Sequence, residues 1–322
     1  MKRFPTYRDL KSNGLVISCV IAVLLLGIQC INRKPGEITE TPTRGKIRIA
    51  VDESFRPIIE AEIATFTSLY NYAHITPVYL SETDLITAFL KDSVKVAVTA
   101  WEPSDQQKVL LQNTQTIVRK TVIAYDAIAF VLNKENKDSL FTYQNINDLF
   151  TGKFTDWSEI NPVSKLGKII AVFDSEKSAN IRYFKDEFHL GSQLPANFYS
   201  VKSNDDVINY VTTNKSAIGM VSVNWICDRN DSVSRVFSDK IKIAAISHRV
   251  LDPGSYFLPV QGSIYDKSYP FTRTINCVSR ESFSGLGSGF ISWCAAEQGQ
   301  RIILKSGLVP ATMPIRLIQI KK

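Results

Sequence analysis

Histidine is scarce in this chain. His74, His189 and His248 are its three copies, widely separated, and no CxxC or Cys/His cluster accompanies them. A tetrahedral zinc site therefore has no ligand set to draw on, and no metal is expected. Cysteine is sparse too. Of the five, Cys19 lies inside an apolar N-terminal run and Cys30 ends it. Cys227, Cys277 and Cys294 remain, so at most one disulfide can form among them (Cys277 with Cys294 is one pairing), and buried free thiols are the expectation. No GxSxG elbow occurs. The glycine-rich stretch Gly285-Leu286-Gly287-Ser288-Gly289 lacks both a Walker lysine and the third glycine of a dinucleotide fingerprint, and reads as a loop and helix start with Ser288 as its cap. The adjacent pair Asp205-Asp206 points apart at a helix start and favours the helix dipole. Without a marked nucleophile, base or acid pair, no enzyme and no cofactor are expected. No dense Lys/Arg stripe with interleaved aromatics is present, which excludes nucleic acid as a partner. Internal repeats and low-complexity tracts are absent as well.

What is present begins at the N-terminus. Lys2, Arg3, Arg8 and Lys11 form a basic region ahead of an apolar run from Leu15 to Ile28. That run is roughly fourteen residues, within the ~7–15 of a secretory core and short of the ~20 of a spanning helix. A signal peptide is the reading, with a short signal anchor as the alternative. Removing residues 1–29 would leave 34 basic and 30 acidic residues, so part of the net charge of +7 belongs to targeting and +4 would remain. Residues 31–45, rich in Pro, Thr, Gly and charge, read as a tether.

Beyond the tether, strands alternate with helices, as in an open α/β sheet. Strands are expected over Lys46–Val51, Ile75–Leu80, Val94–Thr99, Lys168–Phe173, Ala217–Val221, Lys240–Ile246, Tyr256–Val260 and Thr272–Val278. Helices are expected over Pro57–Tyr70, Asp84–Leu90, Ser104–Leu111, Ile146–Phe150, Asp156–Glu159, Ala179–Phe188, Asp205–Thr213 and Gly289–Leu304, with Gly307 as the final stop signal. The stretch Ile117–Leu132 is too long for an ordinary strand of about 5–6 residues. It holds either two strands or one that crosses between two lobes. A return to the first lobe near residue 255 makes the chain a hinge architecture, and clefts between lobes favour ligands.

Three strand-to-helix turns carry the candidate chemistry. They are Val51 to Pro57, Leu80 to Asp84, and Phe173 to Arg182. A helix start offers free N–H groups and a partial charge of roughly +0.5 e. Ser and Thr hydroxyls add adaptable donors. Several such starts facing one cleft would hold an oxyanion without burying unpaired cations. Taken singly, Ser54, Ser81 and Ser178 are also what plain N-caps look like.

These residues resemble the phosphate-binding proteins of bacterial ABC importers, within the type II periplasmic solute-binding superfamily. The most specific stretch is Tyr125–Asn161, with YDAIAFVLN followed by INDLFTGKFTDWSEIN; AIGMV at 217–221 and GQRIILKSGLVP at 299–310 add to it. Cys30, after Leu25-Leu26-Gly27-Ile28-Gln29, resembles a lipobox cysteine, although Gln29 stands where a small residue is usual. The resemblance implies a PBP-like α/β fold of two lobes, each a mixed sheet flanked by helices, joined by hinge crossover strands. Its parts would be a signal peptide at 1–29, a lipid-anchored tether at 30–45, lobe I at 46–125 plus 255–322, and lobe II at 126–254. It implies inorganic phosphate or a related oxyanion as ligand. Ser54, Phe55, Ser81, Thr83, Thr99, Ser178 and Asn180 would line the site, with Arg182 as its cation. Asp174 stands where the family often has an arginine. Glu102 is the candidate acceptor for the proton of monohydrogen phosphate; read without the resemblance, it is a solvated loop acid. Trp101 either walls the cleft or packs in the core. The implied partners are ABC permease and ATPase subunits and, through lipid on Cys30, a membrane, with the protein a monomer on the periplasmic side of the envelope. An anchored signalling or assembly lipoprotein with the same fold and a lost or changed ligand is the alternative.

Overall fold

The computed structural model describes residues 40–113, 117–227, 240–250 and 254–315. The signal segment, Cys30 and most of the tether lie outside the described residues. Among the described residues no helix is long and apolar enough to cross a membrane.

Among the described residues the main sheet has ten strands. Its edge begins β2 (Ala73–Leu80), β1 (Gly45–Asp52), β3 (Val96–Thr99), a parallel set. Then come β12 (Thr272–Ser279) and β4 (Arg119–Asn133), both antiparallel to what precedes them. The order continues with β8 (Ala217–Ser222), antiparallel to β4, then β6 (Ile170–Phe173) and β7 (Phe198–Ser200), again parallel. The sheet thus has two three-stranded parallel flanks around an antiparallel middle.

Strand β4 joins them. Its first part, Arg119 to Ala127, pairs with β12, and Ile128 to Leu132 pairs with β8. Of the two readings of this stretch, the single crossing strand of 15 residues is the one observed. Short strands β9 (Ile241–Ile243) and β13 (Val309–Pro310) complete the sheet against β4. A second sheet of three strands holds β5 (Leu140–Phe141), β10 (Ala245–Ser247) and β11 (Tyr256–Phe257).

Helices cover the faces: α1 (Arg56–Leu69), α2 (Glu82–Leu90), α3 (Asp105–Asn113), α4 (Tyr143–Phe150), α5 (Trp157–Ile160), α6 (Ala179–Glu187), α7 (Asn204–Thr213), α8 (Gln261–Tyr265), α9 (Leu286–Ala295) and α10 (Glu297–Lys305). Each flank packs its own core. Ile49, Val51, Phe55, Phe66, Ile275 and Phe290 belong to one, and Phe130, Phe150, Trp157, Phe184, Val207 and Phe271 to the other. Close packing is tight enough to dictate residue size. A Cβ on Gly219 of β8 would lie 2.7–2.9 Å from methyls of Val207, Val211 and Val131, which is why the strand carries glycine there.

Several expectations are corrected. The expected final helix over Gly289–Leu304 is two helices, broken at Ala296, whose ψ of 169° is extended. The strand expected over Lys240–Ile246 is split into β9 and β10. Tyr256–Val260 forms only a two-residue strand before α8. Gly307, at φ +82°, does sit just past the end of α10. Cys277 and Cys294 are buried free thiols, Cys227 donates its Sγ–H to the Ser306 carbonyl at 2.8 Å, and burial pushes the Cys277 thiol up to about 12. Trp101 packs edge-on against buried Phe89 at 5.9 Å, a core position.

Candidate functional site

The first turn forms because β1 ends in a capping carboxylate. Asp52 Oδ1 accepts the Ser54 N–H at 2.9 Å and bends the chain into a single helical turn, Glu53–Phe55, ahead of α1. Phe55 provides no side-chain cap for α1. The cap comes from across the sheet instead: the Ile58 N–H donates to Asn224 Oδ1 at 3.0 Å. Asn224 Nδ2 and Trp225 Nε1 donate to the Ser54 carbonyl at 2.9 and 3.0 Å. Residues just past β8 therefore hold the turn that follows β1.

The second and third turns meet each other directly. Ser81 caps α2, donating to Asp84 Oδ2 at 2.8 Å. Glu82, at the first position of α2 and 1% exposed, accepts the Thr99 hydroxyl at 3.3 Å and the Arg182 guanidinium through both Nε and Nη2, the latter at 3.0 Å. The Thr83 N–H and hydroxyl donate to the Lys177 carbonyl at 3.2 and 3.3 Å, and the Lys177 ammonium reaches Asp84 at 2.8 Å. Ser178 caps α6, accepting the Ile181 N–H. Asp174 lies beneath that helix start, accepting Asn180 Nδ2 at 3.4 Å. A fourth helix start joins them. Asn204, first residue of α7, donates through Nδ2 to the Glu53 carboxylate.

At the middle of this arrangement the sheet contributes an ion pair. Register places Arg273 of β12 opposite Asp126 of β4. Arg273 Nε donates to Asp126 Oδ2 at 2.9 Å, and the Ser222 hydroxyl lies 3.0 and 2.9 Å from the two Asp126 oxygens. The guanidinium carbon sits 4.8 Å above the Phe55 ring. Both Arg273 Nη groups are buried without a hydrogen-bond partner, although the side chain is only 4% exposed. Unpartnered buried polar atoms are costly and rare in folded proteins. Here they cluster: Ser54 Oγ, Asp52 Oδ2, Glu53 Oε1, Asn180 Oδ1 and Asn204 Oδ1 are in the same condition.

The electrostatics follow from burial. Removal from water pushes the Asp52 carboxyl up to about 7; nearby Glu82 adds to this and Arg273 opposes it. Burial likewise pushes Glu53 up to about 7 against the Asn204 hydrogen bond. Asp174 is raised by burial while the Ser178 hydroxyl pulls it down, and Asp126 is raised by burial against the pull of Arg273. A site like this can hold a small polar guest. It presents one forked guanidinium with free donors, the open Ser54 hydroxyl and several acceptor oxygens, beside the positive ends of the helix starts.

Of the residues singled out in the sequence, Ser54, Phe55, Ser178 and Asn180 are buried at this convergence. Thr83 and Arg182 stand where the two flanks touch, and Thr99 sits behind Glu82. Ser81 serves as an N-cap whose hydroxyl is committed to Asp84. Glu102 is elsewhere: exposed between buried Trp101 and Pro103, it forms an ion pair with Lys120. Arg182 is committed to Glu82 and Asp186, so the guanidinium with open donors is that of Arg273. Asp52, Glu53, Glu82, Asp126, Asn204 and Arg273 went unselected as site residues. For Arg273 a signal existed: period two along β12 sets it on the inward face with Ile275 and Cys277.

A family model described as a PBP superfamily domain matches residues 37–298. The phosphate-binding protein PstS of Staphylococcus aureus (strain USA300) is 25% identical over 192 residues, which cover 58% of this chain and 54% of that protein. PstS of Staphylococcus epidermidis is 24% identical over 169 residues, 51% of this chain and 50% of that one. The chain thus spans about half the length of the curated relatives it matches. A putative phosphate ABC transporter substrate-binding protein from Clostridium perfringens, solved with bound phosphate, superposes with a TM-score of 0.70 at 21% identity, covering 83% of this chain and 100% of its own. An ABC-type phosphate transport receptor from Vibrio cholerae does so at 0.61 and 18%, covering 83% and 100%. These likenesses establish the fold.

Proposed function

This chain belongs to the PBP superfamily, and from that premise we propose that it is an extracytoplasmic solute-binding protein. It captures a small oxyanion, inorganic phosphate or a relative of it, and presents it to the permease and ATPase of an ABC importer. The observation that carries the reading is the buried Arg273 fork, its Nη donors open beside the unpartnered Ser54 hydroxyl and the converging helix starts. No bond is made or broken in this role. The protein is a monomer, held to the outer face of a membrane by lipid on Cys30.

The two flanks of the sheet act as lobes, residues 46–125 with 255–322 against 126–254, and β4 and the return before β12 act as the hinge. Contacts between flanks stabilise the closed form, and the solute's differential affinity for that form drives closure. The contacts are Glu82 with Arg182, Thr83 with the Lys177 carbonyl, Ile58 with Asn224, and Glu53 with Asn204. A solute bound to both sides adds to these in the closed form alone.

Calorimetry with phosphate, sulfate, molybdate and small carboxylates tests the reading. Saturable binding of an oxyanion supports it, and silence toward every one at millimolar concentration refutes it. A second reading, an anchored lipoprotein of this fold with a changed ligand, is favoured by Asp174 at a position where the resemblance implies arginine, and by the carboxyls around it. Loss of all oxyanion binding with the fold intact would decide for it.

A further inference from the structure

The charges in the cleft do not balance for a bare oxyanion. Five carboxyls converge there: Asp52, Glu53, Glu82, Asp126 and Asp174. Arg182 takes Glu82, and Arg273 takes Asp126. The other three have neutral hydrogen-bond partners only, with Arg273 acting on Asp52 and Asp174 from a distance: the Ser54 N–H for Asp52, the Asn204 amide for Glu53, and the Asn180 amide and Ser178 hydroxyl for Asp174. Arg56 acts on Glu53 from a distance, its guanidinium lying 4.5 Å over the Tyr79 ring.

The open valences sort by kind. Arg273 Nη1 and Nη2 and, nearer Glu53, Arg56 Nε are open donors, and Ser54 Oγ is an open hydroxyl. Asp52 Oδ2, Glu53 Oε1, Asn180 Oδ1 and Asn204 Oδ1 are open acceptors, each buried. A phosphate dianion seated on the donors has a single O–H to offer these carboxyl and amide oxygens, which leaves the rest open, and the charge of any ionised carboxyl opposes it. An ammonium has three donors and no acceptor, which is the complement of that oxygen set. A metal ion does not fit instead: among the described residues no group of three or more His, Cys, Asp and Glu is placed to hold one.

We propose that the solute is a zwitterion, a small molecule with an oxyanion head and a primary ammonium. Arg273, Ser54 and the helix starts take the head. Asp52, Asp174 and the amide oxygens of Asn180 and Asn204 take the ammonium. The proposal rests on the reading of the cleft as an oxyanion site and narrows its ligand class.

The test is calorimetry at pH 7.5 with matched pairs that differ by the ammonium: 2-aminoethylphosphonate against ethylphosphonate, and β-alanine against propionate, with inorganic phosphate alongside. The amine-bearing member of a pair binds about tenfold or more tightly, the range of a charge-assisted hydrogen bond. Asp174→Asn and, separately, Asp52→Asn bring that ratio toward one, with thermal melts confirming that each variant folds. A preference confined to β-alanine keeps the zwitterion and makes the head a carboxylate. Phosphate or ethylphosphonate binding as tightly as the amine overturns the proposal and leaves the oxyanion reading standing. Silence from the whole panel overturns both.

Discussion

Glu62 offers a stability test that is independent of any ligand. It lies on α1, fully buried, with Oε2 accepting the Trp293 Nε1–H at 2.9 Å and Oε1 unpartnered. Burial pushes its carboxyl from 4.5 up to about 8. The native state therefore keeps a proton that the unfolded chain releases between those values. Stability falls as pH rises through that window; the penalty is absent below the lower value and complete above the upper one. At about 1.4 kcal/mol per pKa unit, roughly 3 kcal/mol of penalty is in place at pH 7. Glu62→Gln keeps an acceptor for Trp293 and resembles the protonated acid in shape. Its amide carries two N–H groups where the acid has one O–H, an offset that does not change with pH, so the pH-dependent part of the difference reports the ionisation. Urea unfolding of both proteins at pH 5, 6, 7 and 8 provides the assay. Asp52 and Glu53 tilt both curves alike, so the difference isolates Glu62. Relative to the parent, the variant should be more stable at pH 7 than at pH 5 by about 2–3 kcal/mol. Parallel curves with no pH-dependent gap would refute the reasoning, because Glu62 would then ionise alike in both states.

Other outcomes follow from single contacts. Arg273→Lys keeps a cation beside Asp126 but removes the forked Nη pair, so affinity for the best-binding solute in calorimetry should fall about tenfold or more. Glu82→Gln removes the partner of Arg182 across the flanks; scattering should report a larger average radius, and the solute should dissociate faster. Gly219→Ala drives a Cβ into three valines and should cost about 1–3 kcal/mol in denaturant unfolding, with binding kept once folded. Thr142→Ala removes the cap shared with Asn145 at the start of α4 and should cost about 1 kcal/mol by the same measure.

Much of the fold was legible because its signals are local. Alternation along β1 and short continuous apolar runs in β6 and β8 mark those strands, and Ser81, Ser178 and Gly307 punctuate helices as their chemistry requires. The break at Ala296 was hidden, since nothing in Cys294-Ala295-Ala296 disfavours a helix. Tertiary contact makes it instead: the Gln300 side chain donates to the Cys294 carbonyl at 2.7 Å and the Ile123 carbonyl at 2.9 Å, tying the bend to β4. The site was half legible. Hydroxyls at helix starts are visible in sequence, whereas pairings such as Arg273 with Asp126, 147 positions away, exist only once the strands are in register. Arg182 was the obvious cation by position, but Glu82, 100 positions earlier, claims it.

A crystal structure of the protein grown with its best-binding solute addresses the site most directly. It should place the anionic group within hydrogen-bond reach of the Arg273 Nη atoms and Ser54 Oγ, against the Phe55 face. A solute found elsewhere, for instance in the cavity of about 1300 Å³ beside Lys168 and His189, with Arg273 untouched, would contradict the assignment.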